Sequence, residues 1–408
     1  MRSFCILLLL GICAAAQSRY DLLLKGGHVI DAKNNISAVR DVAISGGRIA
    51  AVAANIPAAD ARQTIDVSDL YVTPGLVDMH THVFAASMNR EYLGENCVRP
   101  DGFTFRSGVT TVVDAGSSGW RSFGVFRDEI INKSKTRVLA MLNIVGSGMG
   151  GRPDVEQNTK DMEPERTAEV AKRNSDVVVG IKVAHYAGPE WIAVDRGVQA
   201  GELARIPVMV DFATFRRERP FQDLVLKHLR PGDIYTHTYL SAVPMLDDQN
   251  HVLPYLFEAK KRGIIFDVGH GAGSFSWRQA IPAVKQGFLP DSISTDLHTD
   301  SMNAAMKDML NVMSKFINMG LSLDQVTACS TWHPAREIHH EELGHLSIGA
   351  AADIAVLRLV KGDFGFVDSA RLRMKGSQKL IAEMTLRDGR VVWDLNGLSS
   401  QDWNHARK

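Results

Sequence analysis

Between Val72 and His340 the chain returns eight times to a short run of apolar, β-branched residues, and a longer, charged, helix-compatible stretch separates each run from the next. The runs are Val72–His82, Val109–Gly116, Val138–Gly146, Val177–His185, Pro207–Ala213, Asp233–Tyr239, Ile264–Gly271 and Ser292–His298. Most are apolar throughout rather than alternating, as strands covered on both faces must be. Strands recurring every few tens of residues with helices between them predict a closed parallel (β/α)8 barrel. An open doubly wound sheet is the rival, but no GxGxxG follows the first run.

The two ends of the chain read differently. Tyr20–Lys25 and His28–Asp31 flank the turn signal Gly26-Gly27, and Asp41–Ile44 and Arg48–Val52 flank Gly46-Gly47. Asp353–Leu357, Ile381–Leu386 and Arg390–Trp393 are similar short strands near the other end. Antiparallel strands with Gly-rich turns at both ends predict a small β-sandwich built from residues 17–72 and 341–408, with the barrel at 73–340. Residues 1–16 read as an export signal: Arg2 is basic, Phe4–Ile12 is a short apolar core, and Ala14-Ala15-Ala16 suits cleavage. That predicts a periplasmic or secreted protein with no membrane anchor after processing.

Lysine plus arginine and aspartate plus glutamate both total 46, so the net charge is zero and no basic excess exists to neutralise phosphates. Nucleic-acid binding is not expected; a small-molecule partner is, and a homo-oligomer is compatible with this fold class. Once the signal is removed only Cys97 and Cys329 remain. Export permits their pairing, but unpaired residues are the favoured reading.

In a barrel of this kind the reactive groups sit where the strands end. The first run ends Asp78-Met79-His80-Thr81-His82, and histidines at i and i+2 share one side of a strand. Lys182 lies inside the fourth run, while the next four contribute Asp211, His237, His270 and Asp296. Each alone is weak, since a histidine on an apolar strand is often structural and a strand lysine often snorkels to water. Together they recur at strand ends in one register, and a purely structural role would bury several charges for no gain. Imidazole and carboxylate donors without thiolate suit zinc, with manganese, cobalt or iron as alternatives.

The stretches Leu23–Asp31, Val72–His82, Gly108–Gly116 and Gly344–Ile354 make the chain similar to the amidohydrolase superfamily, in its dihydroorotase-like and deacetylase-like branch. The PGLVDMHTH segment is the most specific of them. The resemblance implies two divalent metal ions, most simply zinc. His80 and His82 would hold the more buried ion and His237 the more exposed one. Lys182 would carry a CO2-derived carbamate bridging both, because an ammonium cannot be a ligand. Asp296 would bind the buried ion and shuttle the proton for a metal-activated hydroxide. The family's fifth strand usually offers a histidine to the exposed ion, where this chain has Asp211. Asp211 is read as a ligand, against a supporting role or a site with one tightly held ion. His185, three residues after Lys182, is a substitute only if the chain turns there, since alternation puts it on the other side.

Two further residues are candidates for substrate binding. Arg152 suits a substrate carboxylate, against a solvated surface role, and His270 suits a leaving group, against a structural one. His333 is read as structural. The expected activity is hydrolysis of a small amide or ester, with release of a short acyl group first. Ring opening of a dihydroorotate-like or hydantoin-like compound is second, and a catalytically silent scaffold is the different-class alternative.

Overall fold

The two Gly-Gly pairs near the start of the chain look alike in sequence and do different work. The structure, a computed structural model, describes residues 18–85, 96–149, 154–212 and 215–404. Its first strands are β1 (Tyr20–Asp31), β2 (Ile36–Ser45) and β3 (Arg48–Ala53). Gly46 and Gly47, both at positive φ, make the two-residue turn between β2 and β3. Gly26-Gly27, expected as a turn, is instead a bulge inside the single strand β1. Side chains explain the difference: a Cβ on Gly26 would meet Ser68 Oγ at 2.6 Å, and one on Gly27 would meet Val72 at 2.6 Å. The bulge also lets β1 change partners, pairing in parallel first with β4 (Ala61–Asp66) and then with β5 (Tyr71–Pro74).

Both chain ends share one eight-stranded sheet. After the barrel it is completed by β13 (Ile354–Val367), β14 (Arg373–Arg387) and β15 (Arg390–Asp394), with β13 pairing β5 antiparallel. Leu24, Val42, Ile44, Val72, Ile354 and Met384 from both ends fill one core. The expected first run, Val72–His82, is therefore two strands. It crosses from this sheet into the barrel at Gly75, where a Cβ would lie 2.2 Å from Thr110 Oγ1.

The barrel strands are β6 (Leu76–Thr81), β7 (Val109–Gly119), β8 (Arg137–Asn143), β9 (Val178–Val183), β10 (Val208–Val210), β11 (Ile234–Tyr235) and β12 (Ile265–Phe266), all parallel and in sequential order. The eighth run forms no continuous ladder. It closes the ring through bridges from Ser292 to Asp267 and from Leu297 to Thr81, with hydrogen bonds from Val268 N to Ser292 O and from His82 N to Leu297 O. The fold is a TIM-like barrel whose last strand is irregular. On β9 and β10, Ile181, Val183, Val208 and Val210 face the outer helices, while Lys182 and Met209 face inward and touch. Met79, Leu139, Met141, Val179, Met209 and Ile234 form a separate apolar cluster that fills the interior.

Candidate metal centre at the strand ends

Regular pairing stops early on the later barrel strands, and left-handed backbone takes over. His185, His237 and Asp296 have φ of 54°, 62° and 51°. Residues other than glycine adopt this region at a cost of about 1–2 kcal/mol, and such outliers gather at functional sites. Here each turns a strand-end side chain toward one cavity, lined among others by His80, His82, Met149, His185, Asp211, His237, Leu240, Asp296, His298 and Asp300.

Three groups converge most closely. His82 Nε2 lies 3.1 Å and His80 Nε2 3.6 Å from Asp296 Oδ1. Among the described residues, His80, His82 and Asp296 are the set whose ligand atoms all lie within 4.8 Å of one another. Separations of 3.1–3.6 Å suit donors sharing an ion at about 2.0–2.2 Å each. The far nitrogens are tied back: His80 Nδ1 meets Thr236 Oγ1 at 2.8 Å and His82 Nδ1 meets Ser117 Oγ at 3.0 Å. Thr236 donates its hydroxyl hydrogen bond to Asp267 Oδ2 at 2.8 Å, so that His80 Nδ1–H can donate to Thr236 Oγ1 and Nε2 keeps its lone pair for the cavity.

Lys182 is fully buried beside this trio, with Nζ 3.4 Å from His80 Nε2 and 3.6 Å from Met209 Sδ. Neither neighbour is an anion, and burial lowers its pKa below the usual lysine value. A wider group opens toward solvent. His237 Nδ1 donates to Gly269 O at 2.5 Å, and its Nε2 lies 3.2 Å from Asp211 Oδ2. The same Asp211 oxygen is 3.0 Å from His185 Nε2, and His185 Nδ1 is 2.8 Å from Glu156 Oε2. Burial opposes ionisation of Asp296, but His80, His82 and His298 around it hold its carboxyl well below the ordinary range. For His185 burial is likewise outweighed, by Glu156 and Asp211, which push its pKa well above that of a free imidazole.

Two buried carboxylates brace the strand ends from below. Asp267 accepts from Thr236, Ser292 and Ser294 hydroxyls, and Asp78 accepts from Thr295 N at 3.0 Å and Thr295 Oγ1 at 2.5 Å. Burial pushes Asp78 up to about 7. Thr295 precedes Asp296, so this clamp sets where the acid of the trio stands.

The structure thus brings together His80, His82, Lys182, Asp211, His237 and Asp296. His270 does not join them. Between Gly269 and Gly271, both at positive φ, its ring turns away from the cavity and stacks on Phe275 with centroids 4.5 Å apart. Its Nε2 accepts from buried Lys315 Nζ at 2.6 Å and its Nδ1 donates to Gly271 O at 2.9 Å. With both nitrogens engaged there, the ring presents neither of them to the cavity. His333 Nδ1 donates to Asp291 O at 3.0 Å, outside the cavity. Arg152 and the signal segment 1–16 lie outside the described residues. Cys97 and Cys329 are both free thiols. Sequence reading passed over Glu156, which reaches in from the loop after β8, and His298, whose Nε2 is 3.8 Å from Asp296 Oδ2. His298 had a signal, standing two residues after Asp296 as His82 stands two after His80; Glu156 had none.

No protein-family model matches the chain. It is similar to a deacetylase of Agrobacterium fabrum, 34% identical over 343 residues that cover 81% of each chain. A deacetylase of Enterococcus faecalis is 28% identical over 385 residues, 91% of this chain and 99% of that one. Among solved structures, an adenine deaminase superposes with a TM-score of 0.83 at 27% identity, covering 92% of this chain and all of that one. A dihydroorotase superposes with a TM-score of 0.80 at 28% identity, covering 91% and 99%.

Proposed function

The chain belongs to the amidohydrolase superfamily as a metal-dependent hydrolase, and on that footing we propose that it releases a short acyl group from a small N-acyl or O-acyl compound. One observation carries the chemistry: His80, His82 and Asp296 converge with both histidines' Nδ1 atoms tied back and their Nε2 atoms turned inward. The deacetylase likeness over four-fifths of the chain supports the substrate class.

His80, His82 and Asp296 would hold the more buried ion, and His237 with Asp211 the more exposed one. The fit extends to Lys182, whose buried amine has an imidazole and a thioether for neighbours. A carbamate there, formed with CO2, would supply the anionic oxygens that two cations need. When bound, two divalent ions, zinc first among them, activate water near neutral pH and polarise the acyl carbonyl. The chain's own part is positioning and proton transfer. Asp296, which lines the cavity, turns Oδ1 to His80 and His82 and holds Oδ2 3.8 Å from His298 Nε2. Oδ2 is thus placed to take a proton from water and deliver it to the leaving amine or alcohol.

The dihydroorotase likeness favours a second reading, hydrolytic opening of a cyclic amide. Residues 1–16, with Arg2, the apolar Phe4–Ile12 and Ala14-Ala15-Ala16, support export to the periplasm or beyond. A scavenging role on external acylated compounds fits that address better than pyrimidine synthesis.

The test is a hydrolysis screen on protein lacking residues 1–16, prepared with zinc and bicarbonate. Its panel holds N-acetyl amino acids of both hands, acetyl esters of 2-hydroxy acids, dipeptides and cyclic imides including dihydroorotate. Acetate release with a chiral preference is expected. Turnover of the cyclic compounds alone moves the protein to the ring-opening reading, and silence across the panel favours the scaffold alternative.

A further inference from the structure

Three imidazoles of the centre are built to one plan. His80, His82 and His237 each commit Nδ1 to an oxygen behind them, respectively Thr236 Oγ1, Ser117 Oγ and Gly269 O, and present Nε2 to the cavity. His185 repeats that plan with a stronger anchor. Its Nδ1 lies 2.8 Å from Oε2 of the buried Glu156, and its Nε2 enters the cavity 3.0 Å from Asp211 Oδ2. A histidine that donates from one nitrogen to a buried carboxylate and offers the other is the ordinary arrangement of a metal ligand.

Strand alternation alone would send His185 away from Lys182. The left-handed backbone at His185, φ 54°, reverses that and turns the ring inward, as it does at His237 and Asp296. The side chain is 26% exposed, more open than those of His80, His82 and His237, which suits the outer position. Asp211 Oδ2 stands between the two outer rings, 3.0 Å from one and 3.2 Å from the other.

We propose, resting on the two-metal reading above, that His185 supplies the exposed ion with the imidazole that the fifth strand lacks, with Glu156 as its orienting partner. The imidazole has moved from the fifth strand end to the fourth, and Asp211 occupies the place between it and His237. Asp211 is then a partner of this histidine rather than a bare replacement for one.

The experiment titrates chelator-stripped, bicarbonate-treated protein with Co(II), counting ions by equilibrium dialysis and following their visible absorption. Wild type is expected to take two ions. His185→Asn should keep one tight ion and bind the other at least about 100-fold more weakly, with loss of its absorption band. Glu156→Gln, which keeps the imidazole and removes its anchor, should weaken that ion about 10–100-fold. It carries the test if the first variant does not fold. His185→Asn combined with Asp211→His should recover the second ion. If His185→Asn and Glu156→Gln both titrate like wild type, the proposal is overturned. If wild type itself takes a single ion, the two-metal reading fails first and this inference falls with it.

Discussion

Replacing Thr236 by valine removes one hydroxyl from beneath the proposed metal centre and alters none of the proposed ligands. Thr236 is fully buried, and its oxygen links His80 Nδ1 at 2.8 Å to Asp267 Oδ2 at 2.8 Å. Valine leaves the His80 Nδ1–H without an acceptor and takes from Asp267 one of its three hydroxyl donors. A buried donor left unsatisfied costs about 1–3 kcal/mol. Separately, a metal ligand that loses its supporting partner binds its ion about 10–100-fold more weakly, or about 1.4–2.8 kcal/mol at 1.4 kcal/mol per decade. Urea unfolding of ion-free protein should show Thr236→Val less stable by about 1–3 kcal/mol, and zinc titration should show its tightest ion weakened about 10–100-fold. Thr236→Ser, which keeps the hydroxyl, should lie close to wild type in both. Equal zinc affinity for valine and wild type would refute the idea that this relay fixes the His80 ring.

Asp296→Asn should lower kcat about 10²- to 10⁴-fold, the usual worth of a positioned proton carrier, while its circular dichroism spectrum stays that of wild type. Gly75→Ala places a Cβ 2.2 Å from the buried Thr110 Oγ1; denaturant unfolding should show a loss of about 1–3 kcal/mol, partly restored when Thr110→Ala is added. Burial lowers Lys315 from 10.5 to about 7. The unfolded chain therefore binds a proton between these limits that the folded chain lacks, so the penalty is full below pH 7 and relieved as pH rises toward 10.5. Wild type should gain about 1.4 kcal/mol per pH unit over Lys315→Met across that window, measured by urea unfolding at pH 6.5, 8 and 9.5; parallel slopes for the two proteins would contradict it.

The barrel and the gathering of its strand-end residues were legible because both rest on short-range rules. His80 and His82 share a side by the period of two, and Lys182 faces inward because Ile181 and Val183 face out. What sequence did not carry was backbone conformation at single residues. Whether Gly26-Gly27 bends a strand or ends it depends on Ser68 and Val72, which pack against it from a later segment. Which way His270 and His185 point is decided by left-handed residues, at Gly269 and Gly271 for one and at His185 itself for the other. Glu156 was invisible for a different reason: it comes from an irregular loop, where no periodicity marks a side chain as inward.

The most direct test of the central claim is a crystal structure of the protein prepared with zinc and bicarbonate, with anomalous data collected at the zinc edge. Two anomalous peaks are expected at the strand ends, one among His80, His82 and Asp296 and one beside His237, with density extending from Lys182 Nζ between them. A single peak with a bare lysine amine would contradict the two-metal centre, and the absence of any peak in that cavity would remove its metal chemistry altogether.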